Sequence, residues 1–208
     1  PPLRMMLVID ATDTVPISNI VNALRNELAP RLQVLDEVAL VTFGQQIFTY
    51  TEFYYTDKNR LINDHLSNLK TSSGDNRVYD AILRGVIDLP LDSNLRQVVL
   101  VITDSGRRDE EQTTIDRIIE EANEKNVQVF NIGYYTRDKP DHEELTTIAN
   151  ETEGYVWIYA NEQNTRASIE AAMNEYLEAL VEALDSEILL TVDMHGQEPD
   201  ANGRGLFD

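Results

Sequence analysis

The chain has 208 residues, 42% of them hydrophobic, which is enough for one good-sized domain with a buried core and too apolar for wholesale disorder. Its 37 Asp and Glu against 17 Lys and Arg leave a formal charge of −20, which repels nucleic-acid phosphates and anionic membranes and favours cations or basic partners. Without a cysteine there is no disulfide scaffold, thiolate metal site or Cys nucleophile, and no run of roughly 18 apolar residues exists to span a bilayer.

Pro1-Pro2-Leu3-Arg4 leads straight into a strand pattern with no signal peptide, and it reads as the opening of a piece of a larger multidomain chain. Met5-Met6-Leu7-Val8-Ile9 is an unbroken apolar run ended by Asp10, which suits a strand buried on both faces. Ile17, Ile20, Val21 and Leu24 then recur at helical spacing, with Pro16 suited to a first helical turn. Val38 to Gly44 is a second strand. Gln46 to Tyr54, rich in β-branched and aromatic residues, follows so closely that a hairpin and an antiparallel edge strand are expected. Asp57 to Leu69 and Val78 to Leu89 read as helices, and Gln97 to Thr103 is another buried strand ended by an aspartate, Asp104. The amphipathic stretch Thr113 to Lys125, the strand Val127 to Gly133, the short helix His142 to Asn150, the strand Tyr155 to Tyr159 and the long helix Ser168 to Leu184 complete the alternation.

This order predicts an α/β fold: a doubly wound, mainly parallel, Rossmann-like sheet with one antiparallel edge strand and helices on both faces. Glu187 to Asp193 breaks the alternation and reads as a detached strand, followed from His195 by a Gly-, Asn- and Asp-rich tail. Residues 1–184 are therefore expected to form one domain, and 185–208 a strand and tail that begin a truncated β domain.

In open α/β sheets, sites form beyond the carboxyl ends of the strands, where the strand order reverses. Asp10-Ala11-Thr12-Asp13-Thr14 follows the first strand, Asp104-Ser105-Gly106 follows the third buried one, and Ser72-Ser73-Gly74-Asp75-Asn76 precedes the helix that begins near Val78. Residues two apart after a strand point the same way, so Asp10, Thr12 and Thr14 converge, with Asn76 and Asp104 available on the other side. All are oxygen ligands, a set that suits Mg2+, Mn2+ or Ca2+ rather than zinc. Asp13, between the two hydroxyls, points away. Aspartates also end strands and cap helices without binding anything, and Asp80 is expected to bond backbone amides at its helix start. His65, His142 and His195 lie in separate segments without ligand spacing and read as surface residues, whereas Trp157 on a late strand reads as core.

At these residues the chain resembles the von Willebrand factor A-type domain, also called the integrin I-like domain. That family's metal-ion-dependent adhesion site uses Asp-x-Ser-x-Ser, a threonine on a second loop and an aspartate on a third. Asp10-Ala11-Thr12-Asp13-Thr14 matches the first element with both serines replaced by threonine. Ile102-Thr103-Asp104-Ser105-Gly106 looks like the strand ending in Thr-Asp-Gly with a serine inserted, and Tyr79-Asp80-Ala81-Ile82 looks like the family's helix start. Asn76 stands where the family has threonine, and neighbouring Asp75 offers a substitute. Val127 to Gly133, with Glu144-Leu145 and Ile148-Ala149, resembles the late strand and helix, and Glu153-Gly154-Tyr155 resembles a Gly-Gly-x turn, so the likeness runs from about Leu3 to Leu184.

The resemblance implies a cation-dependent binding or adhesion module in which an acidic residue of a protein partner completes the ion's shell, in an extracellular or cell-surface setting, with a cytoplasmic one as the alternative because the family also has intracellular members. Two other readings stand beside it. One is a structural domain whose degenerate site holds no metal, with Asn76 as its motive. The other is a Mg2+-dependent phosphotransfer enzyme, which would want a second acid at Thr12 and lacks one. No phosphate-binding glycine loop follows the first strand.

Overall fold

The computed structural model describes residues 2–13, 15–54, 64–66, 69, 71, 77–91, 94–104, 113–134, 143–159 and 166–195, with the backbone alone at 51–54, 134, 166 and 186–195. Strand β1 (Leu3–Asp10) is the centre of the molecule. Its side chains alternate, so Met5, Leu7 and Ile9 enter one core layer and Met6 and Val8 the other, each at most 1% exposed. Removing such a side chain from water contributes roughly 1.5–3 kcal/mol, so an apolar run without polar interruptions settles in the middle of a two-sided sheet.

The other strands are β2 (Glu37–Phe43), β3 (Ile47–Tyr54), β4 (Arg96–Thr103), β5 (Val127–Tyr134) and β6 (Val156–Tyr159). They order as β3-β2-β1-β4-β5-β6, with every pairing parallel except the β2–β3 hairpin. The expected doubly wound sheet with one antiparallel edge strand is therefore present. Helix α1 (Ile17–Ala23) runs on through a π-helical turn at Leu24–Leu28, and together with α5 (Arg166–His195) it covers one face. Helices α2 (Val78–Ile87), α3 (Ile115–Glu124) and α4 (Glu143–Glu151) cover the other.

Two glycine positions show how closely the layers meet. A Cβ at Gly85 of α2 would lie 2.8 Å from Cγ2 of Val8, so the helix rests directly on β1. A Cβ at Gly154 would sit 1.9 Å from the carbonyl oxygen of Val129, which leaves no room for any other residue there. Glu153 beside it adopts φ 57°, the left-handed conformation that a glycine would take without strain.

Several expectations change. Pro16 is the N-cap of α1, one residue ahead of the first helical turn. The segment Glu187 to Asp193 is helical, because α5 continues unbroken to His195, and no detached strand forms there. A short apolar run such as Ile188-Leu189-Leu190 satisfies strand and helix patterns equally, and the preceding turns of helix carry the backbone through it. The tail 196–208 lies outside the described residues. So does most of the helix expected over Asp57 to Leu69, of which Asp64 to Leu66 is a helical fragment with Leu66 buried. Trp157 is half-buried, stacked on Phe130 with ring centroids 6.1 Å apart at the margin of the core.

Candidate metal centre

From β1 the chain winds outward through β2 and β3 on one side, and from β4 through β5 and β6 on the other. The β1–β4 boundary is therefore the switch point, where loops leave the carboxyl ends in opposite directions and open a crevice. Asp10 is the last residue of β1, and Asp104 follows the last residue of β4. The parallel register pairs Ile9 with Ile102, which brings Asp10 alongside Thr103.

Asp10 is fully buried. Its Oδ1 accepts hydrogen bonds from the Thr12 backbone N–H at 2.9 Å and the Thr12 hydroxyl at 2.8 Å, and its Oδ2 accepts one from the Thr103 hydroxyl at 2.9 Å. Ala11 N–H donates to the Phe43 carbonyl at 2.7 Å, which holds the strand end against β2 as the loop departs. Val15 N–H then donates to the Thr12 carbonyl at 3.2 Å, turning the chain toward α1. Burial, and after it the negative charge of Asp104, push the Asp10 carboxyl up from 3.8 to about 6, against the pull of the Thr12 and Thr103 hydrogen bonds. Two carboxylates are thus held close in a poorly solvated crevice, where a cation between them would relieve the penalty.

The donor set fits a hard cation. Thr12 is buried at 5% exposure, and a hydroxyl that gives its proton to Asp10 keeps oxygen lone pairs as acceptors. Asp104 is half-buried at the crevice wall. Among the described residues no three His, Asp or Glu side chains gather, so the rest of an ion's shell would come from hydroxyl, amide or water oxygens. Of the expected ligands, Asp10, Thr12 and Asp104 meet at this crevice, whereas Thr14 and Asn76 lie outside the described residues. Asp13 is exposed, in keeping with a side chain that turns away. His65 is half-buried rather than on the surface, its ring 4.9 Å from that of Tyr50. The side chains of His142 and His195 are outside the described residues.

Two contacts of residues that the motifs include were not legible from the motifs themselves. Thr103, fully buried, stands in the stretch that looks like Thr-Asp-Gly but has no assigned role there, and only the β1–β4 register turns its hydroxyl onto Asp10. Asp80 reaches beyond its own helix start, and the backbone of Thr113 is among its hydrogen-bond partners. Its Oδ2 accepts from the Arg77 guanidinium at 2.6 and 2.9 Å, and its Oδ1 accepts from the Thr113 hydroxyl. Burial raises the Asp80 carboxyl, but the Thr113 and Arg77 hydrogen bonds and the Arg77 charge outweigh it and hold the group below its ordinary value. This carboxylate therefore brackets the starts of α2 and α3, one at the end of the second loop and the other at the end of the third. The sequence signal available was a threonine just before the Thr114 cap, too common a pattern to single out.

The family model for the von Willebrand factor type A domain matches residues 5–180. Similar solved structures include proximal thread matrix protein 1 from the mussel byssus with a zinc-occupied MIDAS motif, at 14% identity and a TM-score of 0.67, covering 86% of this chain and 46% of that one. A von Willebrand factor type A protein from Catenulispora acidiphila matches at 15% identity and TM-score 0.64, covering 86% and 42%. The conserved hypothetical protein BatB from Bacteroides thetaiotaomicron matches at 15% identity and TM-score 0.60, covering 83% of this chain and 98% of that one. At these identities the likeness to the solved structures speaks to the fold.

Proposed function

The chain belongs to the von Willebrand factor type A domain family, and from that premise we propose that it is a divalent-cation-dependent protein-binding module rather than an enzyme. Asp10, Thr12 and Asp104 hold the ion at the β1–β4 switch point, with Thr14 and Asn76 as further ligands. The observation that carries this reading is the buried Asp10 carboxylate beside Asp104. Two negative charges in such a place are costly, and a cation that joins them offsets that cost. The zinc-occupied MIDAS motif of the byssal protein supports a divalent ion on this fold, while the all-oxygen set here favours Mg2+, Mn2+ or Ca2+. With few protein charges around it, the ion keeps an open position for a carboxylate from a protein partner, met at the cell surface or outside the cell.

Thermal unfolding in EDTA, Mg2+, Mn2+ and Ca2+, on wild type and Asp10→Ala, tests the proposal. An ion that binds only the folded state at about 100 times its Kd adds roughly 2.7 kcal/mol. An ion-specific rise in Tm that disappears in the variant is the expected result, together with loss of partner binding. No rise with any ion would leave a domain with a degenerate site that acts through its surface alone.

A further inference from the structure

We propose that Asp80 is a positioning residue for the metal centre: by tying the end of the third loop to the end of the second, it sets the crevice's affinity for an ion that it does not touch. The inference rests on the metal-binding reading above. Two of the three loops that carry candidate ligands end at partners of Asp80. Asn76 lies directly before Arg77, and the loop that begins at Asp104 ends at Thr113, directly before the Thr114 cap of α3. Asp80 Oδ2 accepts from Arg77 Nε at 2.9 Å and Nη2 at 2.6 Å, and Oδ1 accepts from the Thr113 hydroxyl. The Thr113 backbone N–H donates to the same carboxylate. With the Asp80 side chain only 13% exposed and Thr113 buried, these charge-assisted bonds are largely shielded from water, which strengthens them.

The direction of the chain places this joint at the crevice. β1, β4 and β5 run parallel, toward the metal pole. α2 ends shortly before β4 begins, and α3 leads from the end of β4 back to the start of β5. Both helices therefore start at the metal pole and run away from it. At the far pole Lys125 joins their other ends through the carbonyls of Val86, Ile87 and Leu89. The pair is pinned at both poles, and the Asp80 joint is the one that lies where ligand-bearing loops arrive. Ligands have to be held within about 0.5 Å of their productive places, and a loop with a loose end must surrender its freedom when the ion binds. β4 holds the Asp104 end of the third loop, and Asp80 fixes its other end before any ion enters.

Calorimetric titration with Mg2+, Mn2+ and Ca2+, at a temperature where circular dichroism shows every variant folded, tests the inference. Thr113→Val removes the hydroxyl without a change of charge, and affinity should fall about tenfold, the lower end of what loss of an outer-shell partner does. Thr113→Ser keeps the hydroxyl and should keep the wild-type affinity. Arg77→Met separates the joint from the electrostatic field. Loss of a positive charge near the crevice by itself tightens cation binding, whereas loss of the joint weakens it, and weakening is expected. Lys125→Met is the control for stability alone, because it unpins the same two helices at the far pole. That pole is roughly 15 Å away along the ten-residue α2, beyond the Debye length of about 8 Å in 0.15 M KCl. Its Tm should fall while its affinity stays. Unchanged affinity in Thr113→Val, or tighter binding in Arg77→Met, overturns the inference and leaves metal binding intact. An equal loss of affinity in Lys125→Met overturns it too, since general loosening would then account for the effect. Should Thr113→Val not fold, Thr113→Ala is read in the same way. Wild type that binds none of the three ions overturns the metal-binding reading itself, and this inference with it.

Discussion

Asp10 makes the metal-free protein sensitive to pH. Its folded carboxyl holds a proton up to about pH 6, against 3.8 for the ordinary group, so the folded state binds the proton more tightly. The contribution of this group to stability is then full below about pH 4 and is lost as pH rises through about 6, the slope following the excess of protons on the folded state. A shift of this size corresponds to about 3 kcal/mol as an order of magnitude. In EDTA, Asp10→Asn should flatten this decline and melt higher than wild type at neutral pH, as chemical denaturation across pH 4–8 would check. Saturating divalent ion should reverse the wild-type trend, because the ion competes with the proton. An aspartate at the end of an apolar run is visible in the sequence, and it stands out there as a candidate ligand. Its burial and the hydroxyl on its second oxygen depend on which strand lies alongside, and that information sits 93 residues away.

The elements are joined by a few long polar side chains as well as by apolar packing. Lys125, at the end of α3, donates through Nζ to the carbonyls of Val86, Ile87 and Leu89 at 3.1, 2.7 and 2.7 Å, and so caps the end of α2 from a different helix. The Val86 carbonyl also accepts from the Leu89 N–H at 3.3 Å; carbonyls at a helix end lack the next turn's donors, and a cation there also suits the helix dipole. Lys125→Met keeps the stem but removes the donors, and is expected to cost about 1–3 kcal/mol by urea denaturation. At the opposite ends of the same two helices, Asp80 bridges Arg77 and Thr113. Neither joint is readable from periodicity, which reports the face a helix buries and not the neighbour it meets. Helix existence was legible for α2, α3 and α4, where apolar residues recur on one face. The end of α5 was not, because its last apolar run is too short to tell strand from helix.

At the scale of the whole molecule, the charge of −20 sets a background of self-repulsion. Monovalent salt screens it, with a Debye length of about 10 Å at 0.1 M. Raising KCl should therefore raise Tm gradually in wild type and Asp10→Ala alike, whereas a bound divalent ion raises it in wild type only. Parallel melts of both proteins in KCl and in MgCl2 separate the two effects. Among the described residues no helix is long and apolar enough to cross a membrane. Composition, the two-sided apolar strands and the order of strand and helix patterns determined the α/β class, the parallel sheet and the hairpin at its edge, because hydrophobic periodicity and connection length are local properties of a chain. The aspartates that end β1 and β4 were equally plain. Only the tertiary structure decided that these two strands are neighbours, that Asp10 is buried there beside Asp104, and that Thr103 and Thr113 take up carboxylate oxygens. Those facts depend on register between distant segments, and a pairing across 93 residues leaves no periodic trace in either one.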